Sequence, residues 1–195
     1  VKVRARGNSR MRVCDFPPLR FNFKKGETAG TPFEGQDKLK LVTRCKKADR
    51  YQADALEEYA AYRIFAMLSE VALRTRLLKV RYIDTQKAAP EPVVRYGFLI
   101  ESEAELAARA GGEILHVSNV NRLLLNTRQS AVSFAFQYLI GNTDWGLVAA
   151  IGDENCCHNG IMLDIGGSHY HVPYDFDQAG LVDARYAKPS SEVRT

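Results

Sequence analysis

Ser133-Phe134-Ala135-Phe136-Gln137-Tyr138-Leu139-Ile140-Gly141-Asn142-Thr143-Asp144-Trp145 is the stretch whose reading decides the rest. Its apolar first part reads as the end of a buried helix. Gly141-Asn142 stops that helix as a left-handed cap residue does, which leaves Asp144 on the loop beyond. Downstream, Ile161-Met162-Leu163 and His171-Val172-Pro173-Tyr174 read as short apolar strands. Two carboxylates follow at once, Asp175 and Asp177. Carboxylates are rarely buried unless they are paired or hold a metal. Asp144, Asn159 and Asp175 are therefore candidates for one oxygen-rich site of the magnesium type. Hard divalent cations take carboxylate and amide oxygens and leave the rest of their shell to water and phosphate. The competing reading makes each of the three a turn residue that caps backbone groups.

Gly141-Asn142-Thr143-Asp144-Trp145, Cys157-His158-Asn159 and Pro173-Tyr174-Asp175-Phe176-Asp177, together with Arg6-Gly7-Asn8-Ser9 near the start, carry a resemblance in their order. The chain resembles the CotH-type spore-coat kinase family and its bacterial relatives, atypical members of the protein-kinase-like fold, from about Val3 to Pro189. The resemblance implies an α+β fold in one bilobal domain. Residues 1–101 would form a nucleotide-binding lobe, an antiparallel sheet with one long helix, and residues 102–195 a mostly helical catalytic lobe. It also implies transfer of the γ-phosphoryl group of ATP to a hydroxyl, on a protein substrate, with Mg²⁺ or alternatively Mn²⁺ as cofactor.

The same resemblance distributes roles. Asp144 stands where the catalytic-loop aspartate orients and deprotonates the attacking hydroxyl. Asn159 falls at the metal-binding asparagine, across a longer gap than in ordinary kinases, since position 149 is Ala. Asp175 matches the metal-binding aspartate, in Asp-Phe-Asp where kinases have Asp-Phe-Gly, and Asp177 binds a second metal or caps the next turn. No activation segment is evident after Asp177.

Working outward to the start, Val1 to Arg6 alternates apolar and basic residues, the pattern of a strand with one wet face. Gly7-Asn8-Ser9 is its turn. Backbone N–H groups in such a loop can face phosphate oxygens, and Arg6 and Arg10 would add charge; an ordinary hairpin uses the same residues. By resemblance the segment is the counterpart of a kinase glycine-rich loop. In Lys38 to Cys45 a period of two puts Leu39, Leu41, Thr43 and Cys45 on one face and Lys38, Lys40, Val42 and Arg44 on the other. The helix expected from Asp54 to about Leu73 carries two stripes, one of Leu56, Ala60, Ile64, Met67, Leu68 and Val71, the other of Glu58, Tyr62 and Phe65. A helix apolar on two sides is sandwiched, and a Glu in its aromatic stripe needs a partner. Lys40 and Glu58 resemble the kinase lysine–glutamate pair that grips the phosphates, with Glu57 as an alternative to Glu58. Two more strands are expected at Leu77–Ile83 and Val93–Ile100. Ile100-Glu101-Ser102 then takes the place of the hinge along which an adenine lies. Glu103–Ala110 reads as a helix stopped by Gly111-Gly112, and Ser118–Thr127 as a further helical segment.

Composition narrows the classes. A chain of 195 residues, 46% hydrophobic, buries a substantial core without staples. Its net charge of +4 is spread along the chain, which argues against nucleic acid as partner, since such binders concentrate their basic residues. No run approaches the roughly 18 apolar residues that span a bilayer. Val1 is not an initiator, so the chain reads as a mature form or an excised fragment, and export or cytoplasmic residence stays open. Cys14, Cys45, Cys156 and Cys157 are too unevenly spaced for a disulfide scaffold. A bond between the adjacent Cys156 and Cys157 would be strained, whereas either could pair with Cys14 or Cys45. Zinc is a rival metal, with Cys156, Cys157, His158, His169 and His171 as soft ligands in a spacing that fits none of the usual patterns. Two other functions stand beside phosphotransfer: a catalytically silent kinase-fold scaffold, and a metal-dependent phosphohydrolase.

Overall fold

The computed structural model describes residues 1–7, 10–24, 26–89, 91–148 and 155–188. Those residues fold as α+β, with a five-stranded and a three-stranded antiparallel sheet. Contacts divide the chain into two compact units, residues 1–59 with 75–100, and residues 60–74 with 101–195.

The first unit holds β1 (Lys2–Ala5), α1 (Arg10–Val13), β2 (Leu19–Asn22), β3 (Lys38–Val42), β4 (Thr75–Tyr82), β5 (Val93–Ile100) and the first part of α2 (Arg50–Leu68). Its sheet order is β1-β2-β3-β5-β4, antiparallel throughout. The expected period of two fills one face. Leu39, Leu41, Leu99 and Phe23 are buried together, with Leu19, Phe21, Phe33, Leu78 and Val80 packed against them. Phe98 lies on the other face, where its ring meets Tyr59 of α2 at 5.7 Å.

Helix α2 departs from the expected two-sided burial. Its Glu58, Tyr62 and Phe65 stripe is buried, together with Ala55 and Ala61, whereas Ile64, Met67 and Leu68 are 43%, 82% and 48% exposed. The aromatic stripe offers more area to bury than the aliphatic one, and its single charge is matched. Arg10 donates from Nη2 to Glu58 Oε2 at 2.8 Å, both side chains being buried. The helix ends at Leu68, short of the expected Leu73. There Ser69 Oγ accepts the Val71 N–H and turns the chain.

A Cys14–Cys45 disulfide closes a loop of sequence separation 31 that holds β2 and β3. Beside it the Arg44 guanidinium stacks 4.7 Å over the Phe16 ring, which meets Tyr82 edge-on. Burial lowers the Arg44 pKa, as does Arg95, and burial raises that of Tyr82. Cys156 and Cys157 are bonded to each other. The pairing of either with Cys14 or Cys45, left open by the sequence, is not the one formed, those two being joined to each other.

The second unit holds the rest of α2, α3 (Glu103–Ala110), β6 (Glu113–Ile114), α4 (Thr127–Leu139), β7 (Gly160–Ile165) and β8 (Ser168–Pro173). Helix α3 has the expected bounds because both ends are capped. Ser102 accepts the Glu105 N–H, and Gly111 sits in the left-handed region at φ 68. The mostly helical character expected of residues 102–195 is corrected: β6-β7-β8 form a sheet, and the predicted Ser118–Thr127 helix is reduced to one 3-10 turn, Arg122–Leu124. Asn121 and Asn126 account for that. Their side chains accept the N–H groups of Leu123 and Gln129, so each starts a new turn and the chain is divided between them. Phe65, Phe136, Phe176 and Tyr62 form an aromatic column with centroid spacings of 5.1, 5.5 and 4.7 Å. Among the described residues no helix is long and apolar enough to cross a membrane.

The Cys14–Cys45 loop yields a stability prediction. Replacing both residues by Ala restores the conformational freedom of that loop to the unfolded chain, and chain-entropy arguments put the loss at about 3–4 kcal/mol. Urea unfolding of the full chain, with and without the double substitution, measures it.

Candidate functional site

The site grows from the end of α4. Gly141 adopts φ 64 and turns the chain, and Asn142 then fixes it from two sides. Its Nδ2 donates to Gln137 Oε1 at 3.0 Å, and its Oδ1 accepts the Asp144 N–H at 2.9 Å. Gln137 and Asn142 are buried, and Trp145 anchors the loop against Phe134 and His171. The Asp144 carboxylate is thus presented by a rigid turn.

Both of its oxygens are then occupied. His158 Nε2 lies 2.9 Å from Oδ1, and with an ionised carboxylate that nitrogen is the donor. Asn159 Nδ2 donates to Oδ2 at 3.0 Å and to the Asp144 carbonyl at 2.7 Å. The Gly146 N–H donates to the His158 carbonyl at 2.9 Å, so the two loops are also tied through backbone. Asn159 has φ 49, a left-handed conformation that Asn tolerates better than most residues. Its amide oxygen is left over once Nδ2 is engaged.

Asp175 joins through the next strand. The Tyr174 N–H donates to the Asn159 carbonyl at 3.0 Å, which sets Asp175 one residue from the Asn159 backbone. The Asp175 N–H donates to Tyr62 Oη at 2.9 Å, and its φ of 60 is again left-handed. It precedes the 3-10 turn Phe176–Gln178 without capping it. Asp177 is buried within that turn. Leu181 and Gly180 donate backbone bonds to Ile140 and Gly141, closing this segment onto the end of α4. One unit therefore brings together Asp144, His158, Asn159 and Asp175. The plainer reading as backbone caps holds in part: Asn159 bonds the Asp144 carbonyl, whereas the Asp144 carboxylate accepts from two side chains and Asp175 makes no side-chain cap on its 3-10 turn.

Other expected residues fall elsewhere. Arg10 was expected on phosphate; it is buried, and its guanidinium holds Glu58. Glu58 is the buried member of the Glu57–Glu58 alternative, Glu57 being exposed. Lys40 is half-buried on β3, Arg6 is half-buried beyond β1, and Gly7 is exposed with φ 95; Asn8 and Ser9 lie outside the described residues. Glu101, expected at an adenine hinge, has its side chain tied within its own unit. Its carboxylate accepts from Arg109 Nε and Nη2 at 2.9 and 2.8 Å and from the Arg74 N–H, and its own N–H donates to the Arg74 carbonyl. The hydrogen bond to Glu101 raises the Arg109 pKa, against burial.

No group of three or more His, Cys, Asp or Glu among the described residues is arranged to hold a metal, and this bears directly on the zinc alternative. A magnesium site asks for less: one or two carboxylate or amide oxygens, with phosphate and water completing the shell. The Asn159 amide oxygen and the Asp175 carboxylate are of the chemical type that demand calls for, and Asp175 is also engaged within the protein. His158 and Tyr62 were missed as site residues by the sequence reading, which had them as a zinc ligand and a packing residue. The only sequence signal for His158 was its place directly before Asn159. Cys156, Cys157, Gly160, Met162 and Tyr174 also line a cavity of about 250 Å³ in this unit.

Behind the site His171 is wholly buried, and its ring lies where a Cβ on Gly160 would be, so only glycine fits at 160. Burial pushes its pKa down to about 4, against a weaker upward pull from the Gly146 backbone. The unfolded chain takes up this proton near 6.5 while the folded one waits until about 4. Stability therefore falls as pH drops through that window, by on the order of 3 kcal/mol in full. Melting curves from pH 7 to 4.5 should show a steeper decline for the native chain than for His171→Gln, which lacks this proton. Comparison of the chain with protein-family models, curated proteins and solved structures yields no match.

Proposed function

We propose that the chain is an ATP- and Mg²⁺-dependent phosphotransferase of the CotH-like, atypical kinase type, which transfers the γ-phosphoryl group to a hydroxyl on a protein. The observation that carries this reading is the joint placement of Asp144, Asn159 and Asp175. The first has its carboxylate pinned by two side chains, and the third makes no side-chain cap on the 3-10 turn that it precedes. Three polar residues from three separate loops converge, two of them in left-handed conformations of the kind that cluster at functional sites.

In phosphoryl transfer the protein mainly positions reactants and neutralises charge. Asp175 and the Asn159 amide oxygen would hold the metal, which when bound screens the phosphate oxygens and orients them for in-line attack. Asp144 would accept a hydrogen bond from the attacking hydroxyl and take its proton. His158 and Asn159 hold that carboxylate in one orientation, so the hydroxyl meets a fixed acceptor. Lys40 would take the nucleotide's phosphates, and Glu58 belongs to the same reading through the kinase lysine–glutamate pair. Asp177, being buried, is left as a support of the turn.

A metal ligand and a hydroxyl-orienting group should fail differently. Asp175→Asn is expected to weaken Mg·ATP binding and turnover together, and Asn159→Ala to do the same to a smaller extent. Asp144→Asn should leave Mg·ATP affinity nearly intact and lower turnover by roughly 10²–10⁴, the usual contribution of general acid–base assistance. Calorimetry for affinity and transfer of labelled phosphate for turnover, on each variant, measure both. If Asp144→Asn abolishes binding and Asp175→Asn leaves it untouched, the two roles are misassigned. If neither variant changes either quantity, a catalytically silent scaffold replaces this reading.

A further inference from the structure

Cys156 and Cys157 are bonded to each other immediately before His158 and Asn159, the two residues that hold the Asp144 carboxylate. A disulfide stabilises in large part by closing a loop of the unfolded chain, and the gain grows with the loop. Cys14–Cys45 closes one of sequence separation 31, whereas Cys156–Cys157 has a separation of 1 and closes next to none. The second bond therefore contributes little by that route, and its place in the chain calls for another account.

Both cysteines are buried in a cluster with Val120 and Met162. They nevertheless line the cavity of about 250 Å³, together with Glu103, His116 and Tyr174. That is room for a thiol of a few carbon atoms, and exchange at a disulfide requires such access. His116 is exposed, and its imidazole can take the proton that an attacking thiol gives up.

The reduced pair has a hydrogen-bond partner in place. Cys157 Sγ lies 3.1 Å from the Leu147 carbonyl oxygen. A disulfide sulfur has no hydrogen to donate, and a thiol has one. Leu147 belongs to the loop that presents Asp144, and the Gly146 N–H and the Asn159 side chain already tie that loop to the His158 and Asp144 carbonyls. Opening the Cys156–Cys157 bond thus removes a side-chain link and adds a hydrogen bond at the place where the two loops meet.

We infer that Cys156–Cys157 is a thiol–disulfide exchange site that takes a small thiol through this cavity, and that its redox state sets how firmly His158 and Asn159 hold Asp144. In the exchange a thiolate attacks Cys156 Sγ, the Cys156–Cys157 bond breaks, and Cys157 leaves with the electron pair, takes a proton and donates to the Leu147 carbonyl. A second thiolate attacks the small thiol's sulfur in the mixed disulfide and frees Cys156, which is protonated in turn. Two small thiols are oxidised to one disulfide, and the protein gains two electrons and two protons. The inference rests on the phosphotransfer reading only where transfer is measured; the exchange and the state of His158 are read without it.

The test exposes the full chain to mercaptoethanol and its disulfide in ratios stepped from oxidising to reducing, with free thiols alkylated and located by peptide mass spectrometry at each step. The Cys156–Cys157 bond should open at ratios that leave Cys14–Cys45 closed. In the same samples NMR follows the His158 ring signal, identified by its loss in His158→Gln, and transfer of labelled phosphate is measured. On opening, the His158 signal should shift and transfer should fall on the order of 10-fold, a usual coupling between two sites. Cys156→Ser combined with Cys157→Ser should keep the lower rate at every ratio, which assigns the response to this pair and not to Cys14–Cys45. The native chain's own titration carries the test even where that double variant does not fold. The inference is overturned if the Cys156–Cys157 bond opens only in chain unfolded by urea, if Cys14–Cys45 opens first, if the His158 signal stays in place once the bond is open, or if the double variant responds to mercaptoethanol as the native chain does. A shifted His158 signal with no transfer in either state keeps the switch and removes phosphotransfer. Equal transfer in both states with an unmoved signal keeps phosphotransfer and removes the switch.

Discussion

The grip of His158 and Asn159 on the Asp144 carboxylate is the constraint from which the second unit's arrangement follows. To reach Asp144 from its own loop, Asn159 must turn its side chain back while its carbonyl pairs with Tyr174, and it does so at φ 49. The next residue then runs directly over the His171 ring, which leaves no room for a Cβ and makes position 160 a glycine. His171 is in turn held through its carbonyl by Gln129 and Ser133 of α4, the helix that presents Asp144. The ties therefore form a closed circuit from α4 through the Asp144 loop, Asn159, β7 and β8 and back to α4. A side chain fixed by such a circuit keeps its orientation without an ordering cost when a ligand arrives.

The first unit meets a different problem, a charge inside an apolar helix face. Burying an unpaired carboxylate is far costlier than any gain from the neighbouring aromatic stripe. Arg10 resolves it across a sequence separation of 48. Once Glu58 has that partner, the aromatic stripe of α2 can be the buried one. The aliphatic stripe then stays outside, where single exposed apolar side chains are common on protein surfaces. The pair also explains why a four-residue helix forms at Arg10–Val13: a buried guanidinium at its first residue and a disulfide at the residue after its last fix both ends.

How much of this was legible depends on the range of the interaction that decides each feature. Strands with a period of two, such as Lys38–Val42 and Val93–Ile100, and the doubly capped helix Glu103–Ala110 follow from near neighbours and were read correctly. The α+β class and the antiparallel sheet came with them. The three residues of the candidate site were legible because Asp and Asn beside short apolar strands are conspicuous. What failed were the features settled by partners far along the chain. The buried side of α2 was one, decided by Arg10. The Ser118–Thr127 segment failed for a local reason: apolar spacing was weighed above the two asparagines that interrupt it, Asn121 and Asn126.

The state of Asp144 limits the chemistry it could perform. A carboxylate that accepts one hydrogen bond on each oxygen is held in one direction by them. The transition state of phosphoryl transfer is loose in most analyses, with little bond formation to the incoming oxygen, so the proton can leave late and direction matters more than basicity. A carboxylate locked in orientation by His158 and Asn159 suits that demand.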